Sequence, residues 1–106
     1  MRKFLLLGIV ASSLAGTLPA AAQAIDPFIG ETFTFAGNFC PTGWAPMDGR
    51  LMAISDNDVL FNLIGTTYGG DGATTFGLPT VKPIVTATGA TFTQCISLFG
   101  IFPSQN

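Results

Sequence analysis

Residues 60–79 read LFNLIGTTYGGDGATTFGLP and carry the strongest local signals in the 106-residue chain. Around their start, apolar residues recur at helical spacing: Val59, Leu60, Leu63 and Ile64. Ser55 stands three residues before Asp58, where its hydroxyl can accept a hydrogen bond from an early helical amide and the carboxylate favours the positive helix end. The pattern therefore predicts one short helix that begins at Ser55 and is ended by Gly65.

A glycine-rich segment, residues 66–75, follows this helix. Its glycines surround a single acidic residue, in the order Gly69, Gly70, Asp71 and Gly72. So many glycines in ten residues predict an irregular loop rather than a helix or strand. The sequence FGLP at 76–79 then predicts that the chain returns to the core, with its two large side chains as anchors, Phe76 and Leu78.

The segments on either side predict extended structure. Bulky and polar residues alternate over 28–37, with Phe33 and Phe35 on one face, as is typical of a half-buried strand. The pair Asp48 and Gly49 predicts a short hairpin over 47–54, because both residue types accept the positive φ angles of a tight turn. Prolines and glycines interrupt 38–46, which predicts that Trp44 lies on a turn or irregular segment.

The C-terminal part of the chain has weaker signals. Residues 80–91 are small or β-branched and contain a proline, so they predict an edge strand or an extended linker. Residues 93–102 predict a closing strand. Together these elements indicate a small single domain, mainly β with one short helix (α+β).

The N-terminus has the three-part layout of a secretory signal peptide. Two positive charges, Arg2 and Lys3, precede the apolar stretch 4–18, and small residues follow to position 24. The predicted signal peptide is residues 1–24, cleaved after Ala24 or alternatively after Ala22. An apolar stretch of about 15 residues is shorter than the roughly 20 that cross a bilayer. We therefore expect an exported domain, residues 25–106, in the periplasm or outside the cell, with no membrane anchor after cleavage.

The composition of residues 25–106 limits the class of partner. Two basic residues, Arg50 and Lys82, stand against six acidic ones, so the formal net charge is −4 and nucleic acid is a poor partner. Few charges and nine phenylalanines predict exposed apolar surface, which marks protein contacts or oligomer faces. We expect self-association or a surface or protein partner.

Both cysteines, Cys40 and Cys95, lie in the exported part of the chain. An oxidising compartment favours a disulfide between them. The bridge would close a long loop and stabilise the domain by about 4 kcal/mol in the chain-entropy model. The alternative is two free, buried thiols that pack as small apolar residues.

Residue types that commonly carry catalysis or bind metals are scarce. The sequence contains no histidine, which excludes histidine-based triads and removes the commonest zinc ligand. Two thiolates do not complete a zinc site, and the carboxylates lack the spacing of a calcium loop. We expect no metal, no cofactor and no enzymatic activity. An enzymatic alternative would have to rest on carboxylates such as Asp48 and Asp71.

Several stretches together resemble the phage tail collar domain. They are Pro-Phe-Ile-Gly-Glu at 27–31, Phe-Ala-Gly-Asn-Phe at 35–39, Gly-Trp-Ala at 43–45, Asp-Gly at 48–49, and the long block 60–72 with Phe-Gly-Leu-Pro at 76–79. The ending, residues 94–104, resembles the bacterial branch of that family, often called microcystin-dependent proteins. After residue 79, however, the chain lacks the arginine-glycine-arginine stretch and the longer glycine-rich region that are common in the family.

The resemblance implies a tail-fibre or adhesin-like module that assembles, in phage short tail fibres as a trimer, and attaches to a surface. We therefore expect an exported, non-catalytic binding or structural module. Its candidate binding surface consists of two aromatic residues and the glycine-rich loop: Trp44, Tyr68, Gly69, Gly70, Asp71 and Gly72. One alternative is that both aromatic side chains simply pack on their own loops. A second is a purely structural oligomeric subunit of an extracellular assembly, without ligand recognition.

Overall fold

The computed structural model describes residues 25–105; the predicted signal peptide and its cleavage sites at Ala22 and Ala24 lie outside these residues. The described part of the chain forms six strands and one α-helix. In chain order these are β1 (Thr32–Phe35), β2 (Trp44–Pro46), β3 (Leu51–Ala53), α1 (Asp58–Ile64), β4 (Thr75–Gly77), β5 (Ile84–Val85) and β6 (Thr91–Ser97). The predicted fold class, mainly β with one short helix, is confirmed.

The longest strand, β6, organises the larger sheet. It lies between β1 and β2 and pairs antiparallel with both, while β5 pairs with its first residues. Cys95 of β6 lies opposite Phe33 of β1, and Ser97 lies opposite Trp44 of β2. A second, two-stranded sheet joins β3 to β4, with Met52 opposite Phe76.

The core lies where the two sheets and the helix meet. Its buried apolar residues come from five separate parts of the chain: Ile29, Ala45, Met47, Leu60, Phe76, Leu78 and Ile96. Phe76 and Leu78 are fully buried, which confirms them as the anchors of the returning chain. The ring of Phe61 lies 5.5 Å from that of Phe76, and this contact holds α1 against β4.

The helix begins later than its sequence predicted. Residues Ile54–Asp56 form a 3₁₀ turn, and Asn57 is the N-cap of α1, so the prediction that the helix begins at Ser55 is wrong. The Asn57 side-chain amide donates to Ala53 O at 3.2 Å and its backbone amide donates to Ile54 O. These bonds tighten the turn before the α-helix can begin. At the other end Gly65 terminates α1 as predicted, and its amide donates to Phe61 O.

The apolar face of α1 is narrower than the sequence pattern predicted. Leu60 is fully buried, and Phe61 and Ile64 pack against the core. Val59 and Leu63, which the pattern also placed on this face, are exposed. A helix of seven residues contacts the core through one stripe only, so residues on its flank remain in solvent.

The predicted hairpin over 47–54 is wrong. Gly49 has the expected positive φ of 84°, but the segments before and after it join different sheets. The amide of Met47 donates to Gln94 O in β6, whereas Arg50 O accepts from the amide of Leu78. The Asp48–Gly49 turn therefore carries the chain from one sheet to the other, because long-range pairing with β6 and β4 satisfies more backbone groups than a local hairpin would.

Trp44 lies in strand β2 rather than on a turn, so that prediction is also wrong. The strand tolerates Pro46 because β2 is an outer strand, where a missing amide costs no ladder hydrogen bond. The other segments agree with their predictions. Residues 66–74 form an irregular loop, β5 is a short strand within 80–91, and β1 and β6 lie within or overlap the predicted strands 28–37 and 93–102.

Candidate functional site

The larger sheet has an inner and an outer face. Directly opposed residues of antiparallel strands point to the same side of a sheet. Ile96 and its neighbour Ala45 point to the inner side, where both belong to the core. Cys95 and Ser97, one residue away along β6, therefore point to the outer side, together with Phe33 and Trp44 opposite them.

An uninterrupted row of aromatic rings lies on this outer side. We call it the aromatic face, and it consists of Phe33, Phe35, Phe39, Trp44 and Phe99. The rings of Phe33 and Trp44 meet across β6 with centroids 4.4 Å apart. On one side the row continues from Phe33 to Phe35 at 5.9 Å and on to Phe39 at 5.4 Å. On the other side Phe99 meets Trp44 edge to face at 6.3 Å.

The Cys40–Cys95 disulfide fixes this row to the sheet. The predicted bridge is present, with Cα atoms 5.8 Å apart, and Cys95 is fully buried. Because Cys40 follows Phe39 directly, the bridge holds Phe39 next to β1. The hydroxyl of Thr93 donates to Gly37 O at 2.7 Å and ties the same segment to β6. The disulfide and this hydrogen bond therefore position Phe39, which belongs to no strand.

The aromatic face is substantially exposed. Phe39 is 59% exposed, Phe99 41% and Phe33 36%, while Trp44 and Phe35 are half-buried. All five side chains are uncharged. Aromatic rings in this position offer a large, rigid contact area at low conformational cost.

The glycine-rich loop is a second, separate structure. The carboxylate of Asp71 accepts hydrogen bonds from three backbone amides and one hydroxyl of its own loop, from Ala73, Thr74 and Thr75. The bonds from the Thr75, Thr74 and Ala73 amides hold the pKa of Asp71 well below its usual range. The carboxylate is thus committed to folding the loop, although the residue itself lies at the surface.

The backbone of this loop packs closely on β4. Gly70 has a φ of 93°, and a Cβ at that position would lie 2.7 Å from Thr75 O and in collision with the Phe76 backbone. Gly69 O accepts the amide of Gly77. Only glycine fits such an approach between two backbones. The ring of Tyr68 is 50% exposed beside this loop.

The six residues of the predicted binding surface therefore lie in two places. Tyr68 and the loop 69–72 pack beside β4, whereas Trp44 belongs to the aromatic face. Within residues 25–105 the aromatic neighbours of Trp44 are Phe33 and Phe99, and the ring of Tyr68 pairs with none. Sequence reasoning missed Phe39 and Phe99 as surface residues. Their positions close to Cys40 and Cys95 were the available signal, because a bridge between those cysteines brings both segments to one side of the sheet.

The carboxylates named for an enzymatic alternative, Asp48 and Asp71, are each bound to residues close to them in the chain. Asp48 forms an exposed ion pair with Arg50, in which both carboxylate oxygens accept from the guanidinium. The side-chain hydrogen bond from Arg50 lowers the pKa of Asp48. Asp71 is bound within its own loop. Among the described residues no group of three or more side chains is placed to hold a metal ion, and no helix of that part is long and apolar enough to span a membrane.

The sequence model of the phage tail collar domain matches residues 30–83, just over half of the chain. The matched range contains β1 to β4, α1 and the glycine-rich loop, and it supplies five of the seven buried apolar residues of the core. This match assigns the chain to the class of tail-fibre-like structural modules. The chain belongs to the phage tail collar domain family. Searches of curated proteins and of solved structures returned no match.

Family membership confirms the principal resemblance drawn from the sequence. A tail-fibre-like structural module agrees with the fold, and collar domains occur in multimeric tail fibres, which is consistent with self-association. The resemblance of residues 94–104 to the bacterial branch falls outside the matched range and stays a prediction.

Proposed function

We propose that the protein is exported and that residues 25–106 act as a non-catalytic, tail-fibre-like binding module of the bacterial branch of the family. In this proposal the aromatic face contacts the partner. The observation that carries it is the row of five uncharged rings on the side of the sheet that faces away from the core. A soluble domain rarely exposes so many aligned aromatic residues without a partner.

The exposed area sets the strength expected of this contact. Taking about 200 Å² for each phenylalanine, the exposed fractions of Phe33, Phe39 and Phe99 amount to roughly 270 Å². Burying this area would contribute about 7 kcal/mol at about 25 cal/mol per Å². Association itself costs at least about 4 kcal/mol. One aromatic face alone therefore supports a weak contact, and a useful affinity requires several copies or a wider surface.

Two observations support export. The first 24 residues have the layout of a signal peptide. Both cysteines of the described chain are bonded to each other, as disulfides form in oxidising compartments outside the cytoplasm. The cleavage site after Ala24 and the periplasmic or extracellular location belong to this proposal.

A second candidate function is a purely structural oligomeric subunit of an extracellular assembly that recognises no ligand. The glycine-rich loop favours it, because the Asp71 carboxylate is used for internal hydrogen bonds and the backbone of Gly70 is packed on β4. A loop built in this way stabilises the domain and presents few free polar groups to a ligand.

The test compares two exposed aromatic residues at the two places. Binding of the oxidised protein to a glycan array and to bacterial cell surfaces is measured for wild type, Phe39→Ser and Tyr68→Ser. We expect Phe39→Ser to reduce binding at least about tenfold and Tyr68→Ser to leave it within about twofold. Equal binding by wild type and Phe39→Ser would exclude the aromatic face. Defined oligomers without any captured ligand would support the structural candidate instead.

A further inference from the structure

Strand β1 forms an open edge of the larger sheet. Within residues 25–105 it pairs with β6 only, and its residues Thr32, Phe33 and Thr34 are exposed. The strand reads Thr-Phe-Thr-Phe and contains no charge and no proline. Sheet edges that stay unpaired usually carry a charged residue or a proline, because exposed backbone groups would otherwise pair with another chain.

The ladder with β6 shows which backbone groups face outward. The amide of Ser97 donates to Glu31 O at 2.8 Å, and position 97 lies opposite position 31 in the register of this pair. Hydrogen-bonded and non-hydrogen-bonded pairs alternate along antiparallel strands. The amides of Phe33 and Phe35 therefore point to β6, while the amides and carbonyls of Thr32 and Thr34 point to the open side.

The sequence of β2, which lies at the opposite edge of the same sheet, prevents pairing with a further strand. The amide of Met47 donates to Gln94 O, so in β2 the outward positions are Trp44 and Pro46. The amide of Trp44 donates to Pro41 O at 3.0 Å, and Pro46 has no amide hydrogen. The outer edge of β2 therefore offers no amide to a second strand.

We propose that β1 pairs antiparallel with β1 of a second copy of this chain, forming a closed two-fold dimer. Pairing of β1 with β2 of another copy would build an open head-to-tail row, and the closed edge of β2 prevents it. The self-complementary register places Phe33 opposite Phe33 of the second copy. Thr32 of one copy and Thr34 of the other then exchange their backbone hydrogen bonds.

This dimer rests on the proposed function and extends it. A two-fold axis through the paired strands puts both aromatic faces on the same side of one continuous sheet. The two Phe33 residues form a non-hydrogen-bonded pair, in which opposed side chains approach most closely. Glu31 lies opposite Phe35 of the second copy, so no like charges oppose each other. The contact surface for a partner is doubled without any new element.

Only four residues of each copy contribute to the strand pairing, so the interface is far smaller than the roughly 800 Å² per partner of a stable complex. We therefore expect a dissociation constant in the micromolar range or weaker. The dimer should dissociate on dilution, which makes a concentration series the appropriate measurement.

The experiment uses the full chain expressed with its N-terminal segment and purified with the disulfide oxidised. Sedimentation velocity from about 1 µM to about 1 mM is compared for wild type, Thr32→Pro and the matched control Thr32→Val. Proline removes the outward amide and valine keeps it. We expect a monomer–dimer equilibrium for wild type and Thr32→Val, and a dissociation constant raised at least about tenfold for Thr32→Pro.

A second measurement needs no variant and covers the case in which Thr32→Pro fails to fold. Amide hydrogen exchange of the wild type should slow at Thr32 and Thr34 as concentration rises, while Phe33 and Phe35 are protected at every concentration. An oligomer in which the Thr32 and Thr34 amides exchange rapidly would overturn β1 pairing and leave self-association intact. A monomer throughout the range would overturn both. Neither result bears on the comparison of Phe39→Ser with Tyr68→Ser, which tests the aromatic face separately.

Discussion

Reduction of the Cys40–Cys95 disulfide should destabilise the domain by about 4 kcal/mol. The bridge joins residues 55 positions apart, and the chain-entropy model gives this value for a loop of that length. A domain of about 80 residues is stable by about 4 to 12 kcal/mol in total. Loss of the bridge therefore removes from a third to all of the stability.

Guanidinium unfolding followed by fluorescence measures this loss. Trp44, the single tryptophan, lies in β2 opposite Ser97 and reports on the sheet that carries the bridge. With an m value of about 2 kcal/mol per M, the midpoint of the reduced protein should fall by about 2 M. The double variant Cys40→Ala with Cys95→Ala should have the same low midpoint, and reductant should leave it unchanged. A midpoint shift below about 0.5 M on reduction would refute the stabilising role of the bridge.

Three further perturbations test the core and the glycine-rich loop. Phe76→Ala should cost about 3 to 5 kcal/mol in denaturant unfolding because Phe76 is fully buried, whereas Phe102→Ala, at a half-exposed residue, should cost less than about 1 kcal/mol. Gly70→Ala should cost at least about 2 kcal/mol more than Gly89→Ala, since the two glycines have φ of 93° and 91° but only a Cβ at position 70 meets neighbouring backbone; equal costs would contradict the packing described for the loop. Asp71→Asn should lower the melting temperature at pH 6. Because the folded pKa of Asp71 is lowered, the stability that its ionised carboxylate contributes is fully present above the ordinary aspartate pKa of about 3.9 and is lost as pH falls toward the folded pKa. The difference in melting temperature between wild type and variant should therefore shrink at pH 2.5. A difference that stays constant with pH would disprove the role of the ionised carboxylate.

The local signals of the chain predicted local structure well. Gly65 ends the helix, the glycine-rich segment forms a loop, and Phe76 and Leu78 return to the core, because each outcome depends on a few neighbouring residues. The family resemblance covered the same segment and identified the fold. The cysteine pair was predicted from compartment alone, without any geometric information.

Two of the errors arose where distant strands decide the conformation. The Asp-Gly pair at 48–49 forms the expected turn, but the strands before and after it pair with β6 and β4 rather than with each other. Trp44 lies in a strand because β6 offers a partner to any short extended segment beside it. The helix does not begin at Ser55 because Asn57, two residues later, closes the preceding turn with its own hydrogen bonds. Neither of the two strand pairings can be read from a window of ten residues, whereas the helix start is decided by local hydrogen bonds.

The aromatic face has the same origin. Its rings come from β1, from the segment before Cys40, from β2 and from the residues after β6. The alternation of Phe33 and Phe35 was visible in the sequence, and Trp44 was singled out for its type. Only the order of β1, β6 and β2, together with the disulfide, shows that Phe39 and Phe99 complete the row.

The most direct test of an exported, disulfide-closed collar module is the intact mass of the protein. The protein is recovered from the periplasm or medium of an expressing bacterium, and its mass is measured after alkylation without reductant and after alkylation with reduction. If the protein is exported and oxidised as proposed, the chain starts at Ile25, or at Gln23 if cleavage follows Ala22, and takes up alkyl groups on Cys40 and Cys95 only after reduction. A chain of all 106 residues confined to the cytoplasm, or one whose two thiols react without reductant, would contradict it.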